Sequence, residues 1–169
     1  NPVVRYLMHG FEEALSAFVE RVAPESVHEI GCGEGYWVLQ WAQKGLRVRG
    51  SDFSAKVIEI AQQNGRQQNL PESLFGVRSI YDIQPVVDSA DLLVCCEVLE
   101  HLEDPAGALR ALAGLLAPGG RIFVNAPVNS PAPDHLYLFR TPEEVEDMVR
   151  AAGLEIEESL FAPCTGATL

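Results

Sequence analysis

Positive charge is what this chain most lacks. Twelve Lys and Arg stand against 24 Asp and Glu in 169 residues, a formal net charge of −12. Such a surface repels phosphate backbones, which disfavours nucleic acid as a substrate. No apolar run approaches the ~20 residues of a membrane span. The opening Asn1-Pro2-Val3-Val4-Arg5 does not resemble a secretory signal, and with no initiating Met the chain reads as trimmed or cut from something longer. Cysteine is sparse, at 32, 95, 96 and 164, with no C-x-x-C spacing for zinc. Sequence neighbours such as Cys95 and Cys96 rarely bridge, so small buried thiols in a reducing cytoplasm are expected. Repeats, low-complexity tracts and linkers are also missing. One domain over residues 1–169 is expected, with a helix over 1–24 capping a core over 25–169.

What the chain does have is concentrated in Val27-His28-Glu29-Ile30-Gly31-Cys32-Gly33-Glu34-Gly35-Tyr36-Trp37. Val27 to Ile30 reads as a buried strand, the glycines as a turn, and the residues after Gly35 as a helix. Alternate glycines strip side chains from one side of the turn and let backbone approach a ligand. A dinucleotide fingerprint needs G-x-G-x-x-G, but here the third glycine comes one place early and Tyr36 fills its position. A nicotinamide-dependent oxidoreductase would share the strand–helix alternation but not this spacing.

The remaining elements alternate. Apolar residues from Val4 to Val22 recur at helical spacing, and Pro24 stops them. Residues 46–52 alternate like a strand, Ser54 caps a helix to about Gln67, and 74–77 forms a short third strand. Asp91 to Cys96 is a near-continuous apolar run, as a central parallel strand requires. Asp104-Pro105 opens a helix to Leu116, Pro118-Gly119-Gly120 turns into a strand over 121–126, and Thr141-Pro142-Glu143-Glu144 is a capping box. A last strand is expected over 154–160. The fold class is therefore α/β, a Rossmann-like, doubly wound and mostly parallel sheet with helices on both faces. Its final strand is expected to be incomplete, or residues 161–169 to begin a different continuation.

Glu29-x-Gly31-x-Gly33-x-Gly35 resembles motif I of the class I S-adenosylmethionine-dependent methyltransferases, and the resemblance covers nearly the whole chain. It implies S-adenosylmethionine as cofactor, with Glu29, Gly31, Cys32, Gly33 and Gly35 at the cofactor. It further implies that Asp52, closing the second strand, binds both ribose hydroxyls. Asp82 would lie beside the adenine amino group, with Phe53 and Ile83 as the apolar faces around the ring. Cys96 and Glu97, ending the fourth strand, complete the cofactor set.

Glu97-Val98-Leu99-Glu100-His101 follows that strand. In a helix, Glu97, Glu100 and His101 would share one face. The Glu-x-x-Glu-His pattern resembles two subgroups, the ubiquinone-biosynthesis-like O-methyltransferases and the small-RNA 2′-O-methyltransferases. The second pairs it with a later histidine, for which His135 stands in place, giving Glu97, Glu100, His101 and His135 as ligands for a divalent metal. Without a metal, His101 is the expected catalytic base, since histidine's unperturbed pKa of ~6.5 suits proton removal near neutrality. The bland alternative makes the acids helix caps and His135 a loop residue.

The expected activity is methyl transfer to a small molecule, with oxygen favoured as acceptor and the loop 127–140 helping to form its pocket. A metal-dependent RNA methyltransferase and a non-catalytic cofactor-binding module are the rivals, the first opposed by the charge. The acid runs at 143–147 and 155–158 read as solvated faces. Acceptor identity and oligomeric state have no sequence signal.

Overall fold

Five parallel strands form one sheet. The computed structural model describes residues 2–84 and 89–161, with residues 2–10 described by their backbone alone. The strands are β1 Ser26–Ile30, β2 Arg47–Asp52, β3 Phe75–Val77, β4 Ala90–Cys96 and β5 Leu116–Asn125, paired in the order β3-β2-β1-β4-β5. The helices are α1 Pro2–Val22, α2 Tyr36–Gln43, α3 Ala55–Gln67, α4 Pro105–Ala113 and α5 Pro142–Ala151. None of the described helices is long and apolar enough to cross a membrane.

β1 sits at the middle of the sheet, between β2 and β4, and all five of its residues are buried. Its side chains alternate between two cores. Val27 joins Leu15, Val19, Trp41, Leu92 and Val94 on the face covered by α1 and α2. Ile30 joins Leu93, Cys95, Leu109 and Leu112 on the face covered by α4, against which Val145, Met148 and Val149 of α5 also pack. α1 is thus built into the first face through Leu15 and Val19. Two polar pairs cross the sheet: His28 Nε2 lies 2.9 Å from Ser51 Oγ, and Ser26 donates from its N–H and its Oγ to Asp91 Oδ2.

Caps follow the sequence. Ser54 Oγ accepts from Val57 N–H, and Asp104 Oδ1 from Gly107 N–H beside Pro105 at the first helical position. The Thr141 box is shifted: Thr141 Oγ1 accepts from Glu144 N–H, while Glu144 Oε2 reaches back to the N–H of Arg140.

Three expectations need correction. α4 ends at Ala113, not Leu116, because Gly114 caps it and buried Leu115 turns the chain into the sheet. β5 begins at Leu116: Ala90 pairs with Leu116 and Leu92 with Arg121, so Ala117–Gly120 bulge opposite Asp91. Residues 154–160 form no strand. Their alternation is real but they find no neighbouring ladder, and ion pairs of Glu157 with Arg121 and of Glu158 with Arg21 fasten them instead. These acids, with Glu144, Glu146 and Asp147, are ties rather than a purely solvated face. Cys164 lies outside the described residues.

Candidate functional site

The chain reverses its winding direction between β1 and β4, and at such a point an open α/β sheet holds its ligand in a crevice outside the carboxyl ends of the strands. The glycine turn 31–35 lies there, directly after β1. Gly31 N–H and Cys32 N–H both donate to Ser51 O, and Gly35 N–H to Cys32 O, which fixes the turn against β2. A side chain at Gly31 would collide with Val98, so the turn is packed against the loop after β4. At Gly35, with φ +86°, a Cβ would stand 2.6 Å from the Phe75 ring. At Gly33, with φ +53°, a Cβ would meet nothing within 4 Å. At Gly33 the turn therefore presents bare backbone to open space.

Asp52 ends β2 beside it. Its Oδ2 accepts from Gly33 N–H at 3.2 Å and its Oδ1 from Ser54 N–H at 2.9 Å. A carboxylate offers about four lone-pair sites, so one remains on each oxygen, which suits the two hydroxyls of a vicinal diol. Phe53 is 80% exposed next to it, available as an apolar wall. Asp82 is exposed at the mouth, whereas Ile83 is half-buried and packs against the α4-side core. Cys32 is buried beneath α2, where Gly50 has no side chain to displace it, so its contribution to the crevice is backbone. Cys96 packs half-buried against the α1–α2 core. Burial raises the pKa of the Cys32, Cys95 and Cys96 thiols, which keeps them protonated and inert.

Glu29 lies under the turn, 5% exposed. Val38 N–H reaches its carboxyl, but Oε2 has no hydrogen-bond partner. Burial pushes its pKa from 4.5 up to about 8, against the Val38 bond and with help from Asp52. A raised carboxyl pKa leaves the folded chain holding a proton that the unfolded chain has already released. Stability should therefore fall as pH rises from about 4.5 to about 8, at up to about 1.4 kcal/mol per pH unit from this group. Glu29→Gln should flatten the melting temperature over that window. An unchanged slope would show that Glu29 is ionised in the fold.

The stretch after β4 is not the α-helix that Glu97, Glu100 and His101 would need to share a face. Glu97 takes φ +54°, and Leu99–His101 is one 3₁₀ turn. Glu97 is exposed and takes the left-handed conformation, yet both His101 and His135 lie near enough to act on its charge. Glu100, His101 and His135 converge more closely, each offering one ligand atom, all within 4.8 Å of one another. Glu97 lies outside that tighter group.

Those three residues are well oriented for ligation or proton transfer. Leu136 N–H and Tyr137 N–H both donate to Glu100 O, seating the His135 loop on the 3₁₀ turn. His101 Nδ1 lies 2.9 Å from Asp134 O, and His135 Nδ1 lies 2.8 Å from Ser130 O. A carbonyl can only accept, so both Nδ1 atoms carry a proton, and in the neutral ring it is Nε2 that offers the lone pair. Glu100 is 1% exposed, with neither carboxylate oxygen hydrogen-bonded, and His101 Nε2 stands 3.8 Å from its Oε1. Burial raises its pKa, as expected for a buried carboxyl without a partner. Asn125, at the end of β5, also buries an unpartnered Oδ1. It was missed because a lone Asn in an apolar strand carries no motif.

Residues 28–124 match the family model described as a methyltransferase domain. The chain belongs to the class I S-adenosylmethionine-dependent methyltransferase family. Among relatives, the domain is similar to a ubiquinone biosynthesis O-methyltransferase of Nitrosospira multiformis, 31% identical over 162 residues, covering 82% of this chain and 66% of that one. It is 34% identical to the same-named protein of Albidiferax ferrireducens over 113 residues, covering 65% of this chain and 44% of that one. The chain spans about half the length of the first such relatives it matches. Among solved structures, the magnesium protoporphyrin IX methyltransferase of Synechocystis PCC 6803 with bound SAH aligns at TM-score 0.73 and 20% identity, covering 90% of this chain and 75% of that one. That likeness shows the Rossmann-like fold.

Proposed function

We propose that the crevice between β1 and β4 binds S-adenosylmethionine and that the methyltransferase domain passes its methyl group to a hydroxyl of a small molecule. The observation that carries the reading is the convergence of Glu100, His101 and His135 at the end of β4, the strand paired with the glycine-turn strand. Two ubiquinone biosynthesis O-methyltransferases among the relatives support oxygen as the acceptor. The formal charge of −12 favours a small molecule over nucleic acid. Unpaired Cys32, Cys95 and Cys96 support a reducing, cytoplasmic setting.

When bound, the cofactor supplies a methyl group already activated as a sulfonium. The open side of Gly33 would admit it to the backbone, and the two remaining acceptor sites of Asp52 would hold its ribose. Phe53 and Asp82 would flank the adenine, and Glu29 would support the turn from below. His101, its Nδ1 proton held by Asp134 O, takes the acceptor's hydroxyl proton at Nε2. An open hollow lined by Leu136, Tyr137, Leu138 and Arg140, which follow His135 in the chain, would receive the body of the acceptor.

Asp52→Ala should weaken S-adenosylhomocysteine binding at least about tenfold, since charge-assisted bonds are worth roughly 1.5–3 kcal/mol each. Calorimetry checks this, and an unchanged dissociation constant would mean the ribose lies elsewhere.

A second reading rests on the orientation of both imidazoles. Two Nε2 lone pairs, each with its Nδ1–H fixed by a carbonyl, beside a buried carboxylate, are the donor set of a divalent-metal site. Glu100, His101 and His135 would hold the ion, which would supply polarisation of the acceptor oxygen. The readings make opposite predictions. Chelator should leave turnover intact if His101 is the base, with His135→Ala acting mainly on KM. It should abolish turnover if a metal is held, with His135→Ala as damaging as His101→Ala.

A further inference from the structure

The two tryptophans of the chain, Trp37 and Trp41, stack on one face of α2 with centroids 5.7 Å apart, and Tyr36 meets Trp37 edge-on at 5.1 Å. They line a cleft of about 620 Å³ between α2 and α1, none of whose lining residues belongs to the β1–β4 crevice. Val19 and Leu46 add apolar surface. The α1 side is acidic: Glu12, Glu13 and Glu20 line it, and Lys44 is the one basic residue among those lining the cleft. Glu13 and Glu20 are exposed, and seven residues apart they project from the same side of α1.

We propose that this cleft binds a small organic ammonium ion with an apolar body. Aromatic rings attract cations electrostatically, and the ring open to one here is Tyr36, 54% exposed, with half-buried Trp37 beside it and Trp41 buried behind. Carboxylates along the opposite helix add charge complementarity, which excludes anions and favours a cation over a neutral isostere. The occupant is a small molecule because the α2 wall, from Tyr36 to Lys44, runs only ~13 Å at 1.5 Å per residue. The volume of this open cleft also lies in the range usual for small-ligand sites. This site is independent of the reading of the β1–β4 crevice.

Because Trp37 and Trp41 are the only indoles and both line the cleft, intrinsic fluorescence reports its occupancy directly. Titration with hexylammonium, hexanol and hexanoate at constant ionic strength separates charge from apolarity. Expected is a saturable change with hexylammonium at a concentration at least about tenfold lower than with hexanol, and weaker still with hexanoate. The double variant Glu13→Gln, Glu20→Gln should lose most of that preference with its melting temperature unchanged, since both positions are exposed. Equal affinity for hexanol, or full hexylammonium affinity in the double variant, would overturn the proposal.

Discussion

His101→Ala should slow methyl transfer about 10²–10⁴-fold while leaving S-adenosylhomocysteine affinity nearly unchanged. The split follows from position. His101 stands on the 3₁₀ turn after β4, and its one fixed proton is committed to Asp134 O. Only Nε2 is left for the acceptor, and none of the glycine-turn contacts involves this residue. Alanine removes the proton acceptor without disturbing the backbone bonds of Leu136 and Tyr137 to Glu100 O, so the His135 loop stays seated. Single-turnover rates beside calorimetry would check it. Normal turnover would reduce His101 to a loop anchor, and a matching loss of cofactor affinity would place it on the wrong side of the crevice.

Gly35→Ala should cost the fold far more stability than Gly33→Ala. Both glycines have positive φ, which costs an alanine about 1–2 kcal/mol. At Gly35 the new methyl also enters the Phe75 ring at 2.6 Å and stands 3.3 Å from Ala61, in the α2–α3 core. Overpacking adds about 1–3 kcal/mol, a large part of a typical 5–15 kcal/mol stability. Urea midpoints should therefore drop sharply for Gly35→Ala and only slightly for Gly33→Ala. Cofactor binding should show the reverse emphasis, because the Gly33 methyl projects into the open side of the turn. Equal stability losses would mean that the two glycines serve the same packing role.

Most of the fold was legible because its signals are local. A fully buried β1, the Ser54 cap and the Asp104-Pro105 start each announce themselves within a few residues. Asp52 was legible for the same reason, as an acid closing an alternating strand. The misses come from distant partners. Residues 154–160 alternate like a strand, yet a strand needs a neighbouring edge, and the local pattern could not report that none is supplied. The bulge of β5 depends on its register against β4, which Pro118-Gly119-Gly120 alone does not specify. In the site, the Glu97-x-x-Glu100-His101 spacing suggested a shared helical face, but the left-handed Glu97 breaks it. What brings His135 to Glu100 is a pair of backbone hydrogen bonds across some 35 residues, which side-chain patterns do not encode.

The most direct test of the central claim is a calorimetric titration of the domain with S-adenosylhomocysteine and, separately, with NAD. Expected is one-site binding of S-adenosylhomocysteine that is lost in Gly33→Ala and kept in His101→Ala, with no measurable heat from NAD. Tighter binding of NAD, or S-adenosylhomocysteine binding indifferent to Gly33→Ala, would contradict the assignment of the glycine turn to this cofactor.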